Sequence, residues 1–521
     1  MSRTGSPLRI VSTIVLLTVI VKLIGFLRVL FMARVYGTGM EASAFEAAYR
    51  IPDLLFISIG IAIATTFIPI FNEHLTRGGH KEAMLFANNV VNLLVLVTVV
   101  MALLGIALAP GIVSLIYRGF QGQIYNLTVD LVRILFPIII FIALSYIMTG
   151  LLQSLGEFKI PALISLPANV VSIVYLLFFN HHGGIYGFAA AVVFAWSLQL
   201  LIQVPALRKK GYRYKPVLNL KHQGLRKMLV MVVPIMLGSS VQQFNVIVNG
   251  ALASGLGVNA LAALAYANYI YVIIAGIFAY AVSAVMFPSL SRMYSNDNRS
   301  DFKQLINRSV RSLSFILIPI MIGLMLLSEP IVALLLQRGQ FDVFSTRLTA
   351  GILFFYALGM LGYGLQELLN KAFYAVQNTR APLKTAVWGM SLNIVLSIIL
   401  VRYLELGGLA LAASVSSIFI AGMLLIRLSH LIPGLIEKAT FTSIYKVFVS
   451  AIIMGIAVYL YRDFLWMDLA NHYANLLLNL GAAVSLGAVI YILTAFMLKN
   501  EEAGVLFDVL GKRLHRIRQE G

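Results

Sequence analysis

The chain has 521 residues, 60% of them apolar and only 11% charged, against about 25% charged in a typical globular protein. A soluble enzyme, a disordered chain and a coiled coil are excluded, and the absence of cysteine removes thiol catalysis, thiolate metal sites and disulfides. Thirty-nine Lys and Arg against 20 Asp and Glu leave a net charge of +19; in so apolar a chain this speaks first of membrane topology, not of nucleic acid.

Apolar runs bounded by Gly, Pro, Asn or charge clusters predict helices at about 8–36, 44–72, 83–109, 125–154, 160–180, 185–206, 225–254, 260–291, 306–328, 346–376, 383–402, 408–430, 441–461 and 475–498. Each reaches the roughly 20 residues that a hydrocarbon core of about 30 Å demands. The expected class is therefore an all-α polytopic membrane protein of about 14 transmembrane helices. Arg3 and Arg9 precede the first run as in a secretory signal. That run is too long for a signal core of about 7–15 residues, and it carries Lys22 and Arg28, so it reads as a true first helix. Counting helix-end cations with the adjoining loops, one side collects 28 Lys and Arg and the other 5. The basic side is the cytoplasmic one, so both termini are expected in the cytoplasm.

An internal repeat is visible. Helix two ends around Pro69 and helix eight around Pro288, each just ahead of a polar loop. The junction Leu151 to Pro161 resembles the junction Ala372 to Pro382. The two proline pairs are displaced by 219 and 221 residues, six helices along, so the copies cross in the same direction. Parallel repeats of this kind are a transporter architecture. The expected organisation is a first lobe over 1–207, a basic linker over 208–227, a second lobe over 228–431, two extra helices over 432–498 and a basic tail over 499–521. The extra pair could line a groove for a long lipid chain, and the tail reads as an interfacial helix on the anionic inner leaflet.

Catalytic motifs are absent: there is no HExxH, no Walker A loop and no G-x-S-x-G elbow. His181-His182, beside Gly183-Gly184, reads as a solvated turn in preference to a metal site. No enzyme activity, metal or cofactor is expected. The informative residues are ionisable groups at membrane depth, each of which needs a partner or a cavity. Glu46, Arg50 and Asp53 share one helix face, as do Asp130 with Arg133 and Glu367 with Lys371, and each set can neutralise itself. The first helix is different, because Lys22, Arg28 and Arg34 have no acid on the same helix. Arg34 is near enough to the end to snorkel. A straight helix would not aim Lys22 and Arg28 at one point, and Gly25 between them is a candidate bend. Either the two find acids on neighbouring helices, or they form a cationic wall for an anionic substrate, with Arg suited to phosphate.

At these residues a family resemblance enters. Lys22-Leu23-Ile24-Gly25-Phe26-Leu27-Arg28, then Ala33 to Met40, then Ala44-Phe45 and Arg50-Ile51-Pro52-Asp53-Leu54-Leu55 resemble the opening of the MurJ/MviN lipid II flippases of the MOP exporter superfamily. Phe287 to Ser291 and Phe373 to Pro382 resemble it again. The resemblance implies two six-helix lobes in a V, alternating access, a groove in the last two helices for the undecaprenyl tail, and basic residues on the lipid II diphosphate. Carried over, Arg28 falls on a cavity arginine, and Lys22 and Arg34 on basic positions; Arg50 and Asp53 complete the candidate substrate site. The chain departs from the pattern at Phe56 and Ile57, and around Tyr266-Ala267-Asn268-Tyr269, where arginines are usual. A sodium site of some members maps nearest to Asn249, Asn393 and Ser397, a set without a carboxylate, so Na⁺ or H⁺ coupling is open.

The resulting expectation is a flippase moving lipid II from the inner to the outer leaflet, driven without ATP and with membrane lipids as its surroundings. Its rivals are a flippase for another polyprenyl-diphosphate oligosaccharide, a multidrug and toxin extrusion antiporter, and a membrane transferase acting on polyprenyl phosphate.

Overall fold

The structure is a computed structural model that describes residues 7–466 and 472–504. Among these the chain is helical, without strands. The first half holds α1 (Pro7–Tyr36), α2 (Met40–Arg77), α3 (Gly79–Ile116), α4 (Gln123–Leu135), α5 (Ile138–Ser154), α6 (Lys159–Ala162), α7 (Leu166–Val174), α8 (Asn180–Leu201), α9 (Val204–Lys209) and α10 (Gln223–Ser254). A single wide turn, Tyr175–Phe179, joins α7 to α8. There follow α11 (Ala260–Ser295), α12 (Arg299–Leu326), α13 (Ser328–Leu336), α14 (Val343–Ala357), α15 (Met360–Ala375), α16 (Arg380–Leu431), α17 (Lys438–Phe464) and α18 (His472–Met497). The expected basic tail helix lies, beyond residue 504, outside the described residues.

Eight helical stretches among the described residues are long and apolar enough to cross a membrane, or nine with the pair α14 and α15, bent by 50°. Two of the eight are too long for one crossing. Leu166–Lys209 has 44 residues and α16 has 52, which at 1.5 Å per residue would run to roughly twice the hydrocarbon core or more. Each is broken by one residue in the left-handed region, Gly184 at φ 51° and Glu405 at φ 48°. The breaks fall where the sequence predicts loops, at 181–184 and 403–407. Beyond Glu405 the chain doubles back closely enough that a side chain on Gly408 would sit 2.4 Å from the Leu400 carbonyl oxygen.

The sequence repeat is written into the backbone. Left-handed residues come in pairs: Gly37 with Gly257, Gly79 with Asp297, Gly122 with Gly339, Gly156 with Gln377, Gly184 with Glu405, and Gly211 with Gly434. Their spacings, 217 to 223 residues, bracket the spacing of the proline pairs. Only Lys499, after α18, has no counterpart among the described residues. The helix ends match in detail: the amide of Glu157 donates to Leu152 O at 2.8 Å, and that of Asn378 to Phe373 O at 3.0 Å, the six-to-one bond that closes a helix on a left-handed residue. Two expectations need correcting. Pro69 and Pro288 do not end their helices, since α2 runs on to Arg77 and α11 to Ser295.

A second repeated device is a buried asparagine that captures the returning chain. Asn88 on α3 donates to Met84 O and Arg213 O and accepts from the Tyr212 hydroxyl and the Lys215 amide. Asn307 on α12, 219 residues later, donates to Lys303 O and Leu435 O and accepts from the Glu437 amide and the Thr440 hydroxyl. With all their capacity used, these amides lose little by burial.

The chain divides into two compact units, Met1–Ala262 and Ala263–Gly521. In the first, Phe67, Phe71 and Phe86 stack at 5.5 and 5.6 Å in a core shared by α2, α3 and α5. Helix α10, which the sequence reading gives to the second lobe, packs along α2 inside this unit. In the second, α17 and α18 pack on α12 through Val447, Ala451, Met454 and Tyr491, and the Tyr491 hydroxyl donates to Phe315 O at 2.7 Å.

Candidate substrate-binding site

The candidate site rests on α1 and α2. Helix α1 has no acidic residue between Pro7 and Tyr36 and carries Lys22, Arg28 and Arg34 beyond its first turn. It is unbroken through Gly25. At about 100° per residue, Lys22 and Arg28 project about 120° apart around the helix axis. Lys22 and Arg34 are exposed and Arg28 is half-buried. At this angle Lys22 and Arg28 do not converge, and Arg28 lies within electrostatic reach of a buried acid.

That acid is Glu46 on α2, 4% exposed. Arg50, one turn on, and Arg28, from the neighbouring helix, both act on its carboxylate, and Asp53 adds a like charge. Arg50 also acts on Asp53, as the spacings of four and three residues on one helix face require. Arg28 forms none of the ion pairs closer than 4 Å among the described residues. It feels Glu46 without being locked to it. Two guanidinium groups and two acids thus share one polar patch in an apolar bundle.

Around this patch the unit is fastened by residues that sequence reasoning missed. Tyr117, fully buried, donates its hydroxyl to Ala47 O at 3.1 Å, one turn from Arg50. Tyr36 at the end of α1 donates to the Asn180 side chain. The α1–α2 turn is held by Asn259, which donates to the Thr38 hydroxyl at 3.1 Å, and by the Ala262 amide, which donates to the Ser43 hydroxyl at 3.2 Å. For these long-range partners the linear sequence carries no spacing signal.

The remaining candidates are placed as follows. Asp130 and Arg133 pair at 3.6 Å, as their spacing predicts. Lys371 does not pair with Glu367; its ammonium lies over the rings of Phe287 and Tyr374, at 5.8 and 5.9 Å. Asn249 belongs to the first unit and donates to Asn245 Oδ1 at 2.6 Å. Asn393 and Ser397 belong to the second, where the Ser397 hydroxyl donates to Asn393 Oδ1 at 3.3 Å. The His181 and His182 rings stand 3.8 Å apart, and no cluster of three or more His, Asp or Glu able to hold a metal occurs among the described residues. The side chains of Phe56 and Ile57 lie outside the described residues. Tyr266 is fully buried against Phe341 at 5.7 Å.

Stacked apolar helices in two repeated units, with charge buried between two helices of the first, define a polytopic helical membrane transporter. The family model described as lipid II flippase MurJ matches residues 32–501. The chain therefore belongs to the MurJ lipid II flippase family. A probable lipid II flippase MurJ of Buchnera aphidicola (subsp. Schizaphis graminum) is 28% identical over 490 residues, covering 93% of this chain and 95% of the relative. The lipid II flippase MurJ of Burkholderia cenocepacia is 28% identical over 409 residues, covering 77% and 79%. Among solved structures, a lipid II flippase MurJ in an inward closed conformation matches with a TM-score of 0.81 and 25% identity over 94% of this chain and 99% of the other. An inward-facing MATE family multidrug transporter of the MOP superfamily matches with 0.66 and 16% identity over 80% and 98%, a likeness of fold alone.

Proposed function

We propose that the chain carries lipid II from the inner to the outer leaflet without chemical change, and that Arg28 and Arg50 hold its diphosphate. The observation that supports this reading most is the patch on α1 and α2, where a half-buried arginine on an acid-free helix faces a buried carboxylate without a close ion pair. A diphosphate can displace Glu46 as partner of both guanidinium groups and form paired hydrogen bonds with each. Because Glu46 and Asp53 take the cations back afterwards, the empty site is not left with bare buried charge, and release is not blocked by overly tight binding. Lys22, exposed midway along α1, and Arg34, exposed at its end, would attract the headgroup along its way.

We further propose six-helix lobes matching the two backbone repeats, fourteen crossings in all with two each in Leu166–Lys209 and α16, and both termini in the cytoplasm. Helices α17 and α18 supply the groove for the prenyl tail. Asn393 and Ser397, hydrogen-bonded to each other on α16, are the proposed ion-coupling pair; their neutral oxygens suit Na⁺ better than a proton, and Asn393→Ala should abolish any sodium dependence of flipping. The antiporter reading has support from fold likeness alone.

The test is made in cells whose own lipid II flippase can be depleted. Expression of this chain should keep lipid II reachable by an externally added probe that cleaves or labels the headgroup, and Arg28→Ala should lose that exposure at equal membrane abundance. Normal exposure with Arg28→Ala would refute the assigned role. Failure of the wild-type chain to expose lipid II would refute the substrate.

A further inference from the structure

On the first unit, away from the α1–α2 patch, a cavity of about 610 Å³ opens between the start of α3 and the segment that follows α9. Its volume lies within the usual range of ligand sites, about 300–1,000 Å³. Lys81 and His80 line it from α3, Arg213 and Lys215 from the returning segment, and Met84 and Leu85 form an apolar side. The one carboxylate on its wall, Glu82, is already turned to His74 at 3.3 Å.

The cavity is built, and is not a chance gap between mobile side chains. The Asn88 amide fixes the backbone at Arg213 and Lys215. Asn92 donates to Lys215 O at 2.8 Å and Val217 O at 2.9 Å, and Asn89 accepts from the Asn219 amide at 2.6 Å. Three asparagines of one helix thus hold the wall bearing Arg213 and Lys215 in place, while the cationic side chains themselves stay exposed.

The second repeat supplies an internal control. There the amide captured by Asn307 is that of Glu437, where the first repeat has Lys215. Asp301 stands in the place of Glu82, and Asp297 pairs with Arg299 at 2.8 Å. Lys303, at the position of Met84, spans the gap and donates to Pro433 O at 2.6 Å. The same fold position carries a lysine tied to the returning backbone and additional acids in one repeat, and an open cationic cavity in the other. Selection for a basic surface in general does not require that difference within one fold position.

We infer that this cavity is a binding site for a phosphate-bearing anion: Arg213 gives paired hydrogen bonds, Lys81 and Lys215 give point charges, and Met84 and Leu85 meet the carbon part of the ligand. The anion comes either from the headgroup of an acidic phospholipid or from a soluble diphosphate. The site is separate from the α1–α2 patch and does not depend on lipid II being the cargo.

The experiment uses the full-length chain in phosphatidylcholine nanodiscs. One arm adds phosphatidylglycerol to the disc and counts retained lipid by intact-complex mass spectrometry; the other titrates inorganic pyrophosphate by calorimetry. The triple variant Lys81→Gln, Arg213→Gln, Lys215→Gln is compared with Lys209→Gln, Lys221→Gln, Arg226→Gln, which removes the same charge from exposed positions outside the cavity. All six changes are on exposed side chains, and unchanged melting of both triples verifies folding. A tenfold or greater loss of affinity for one probe in the cavity triple, with less than a threefold loss in the other, supports the site, and the arm in which it occurs identifies the source. Equal losses in both triples, or no saturable binding of either probe by the wild type, overturn it.

Discussion

Arg28 illustrates how a deep charge is kept usable. A fully paired buried cation would be stable but inert, and one with no compensating charge would cost several kcal/mol in a low-dielectric bundle. With Glu46 in electrostatic reach but no close ion pair, the guanidinium is not locked and can be recruited. Arg28→Lys keeps the charge and loses the fork, so it should retain part of the flipping rate, whereas Arg28→Ala should retain none; a graded exposure assay at matched expression distinguishes the two. Glu46→Gln is expected to tighten lipid II binding and slow turnover, because the competing carboxylate is gone. Much of this was legible in the residues. An acid-free first helix with three cations, and Glu46, Arg50 and Asp53 at helical spacing, are visible without coordinates. That Arg28 acts on Glu46 was not, because it depends on how two helices pack.

Helix ends and breaks carry the next scale. Glu405 occupies a left-handed backbone position, φ 48°, that costs a non-glycine residue about 1–2 kcal/mol; its counterpart in the first repeat is Gly184. Glu405→Gly should raise thermal stability by about 1 kcal/mol, and Gly184→Val should lower it by at least as much, measured as detergent melting shifts of opposite sign. The Asn88 and Asn307 clamps should behave alike. Asn307→Ala leaves the Glu437 amide and Leu435 carbonyl without their partner, at about 1–3 kcal/mol for a buried unsatisfied group, so the α16–α17 connection should exchange amide hydrogens faster. His222, the residue just before α10, has its pKa lowered by burial and then by His74, with Glu82 opposing. A lowered base resists protonation in the fold, so its contribution is present above the ordinary histidine range and is lost as pH falls below about 6. Hydrogen exchange over 212–222 should therefore quicken between pH 7.5 and 5.5. The sequence showed where helices stop when Gly or a charge run marks the stop. It misplaced the ends at Pro69 and Pro288, since a proline inside a long helix can be accommodated when the surrounding bundle holds both halves.

At the scale of the whole chain, the repeat of about 220 residues is the ordering principle. It appears in two proline pairs in the sequence, and in the structure it extends to six pairs of left-handed residues and the two asparagine clamps. The sequence revealed the period because Pro survives as a visible marker; Gly156 with Gln377 and Gly184 with Glu405 stayed hidden because different residues occupy the same backbone conformation. The placement of α10 beside α2 could not be read from apolar runs at all, since every apolar helix face looks alike before packing. Because the chain has no cysteine, orientation can be tested by single introductions. His182→Cys should react with a membrane-impermeant maleimide added to intact cells, and Lys221→Cys should react only after permeabilisation; the reverse pattern would invert the proposed topology.

The most direct measurement is the affinity of purified chain for lipid II, wild type against Arg28→Gln and Arg50→Gln, each verified by unchanged melting. Direct recognition of the diphosphate by these guanidinium groups predicts at least a tenfold weaker dissociation constant for each variant, with undecaprenyl alcohol, which has no phosphate, binding all three proteins equally. Lipid II affinity that is the same in wild type and both variants would contradict it.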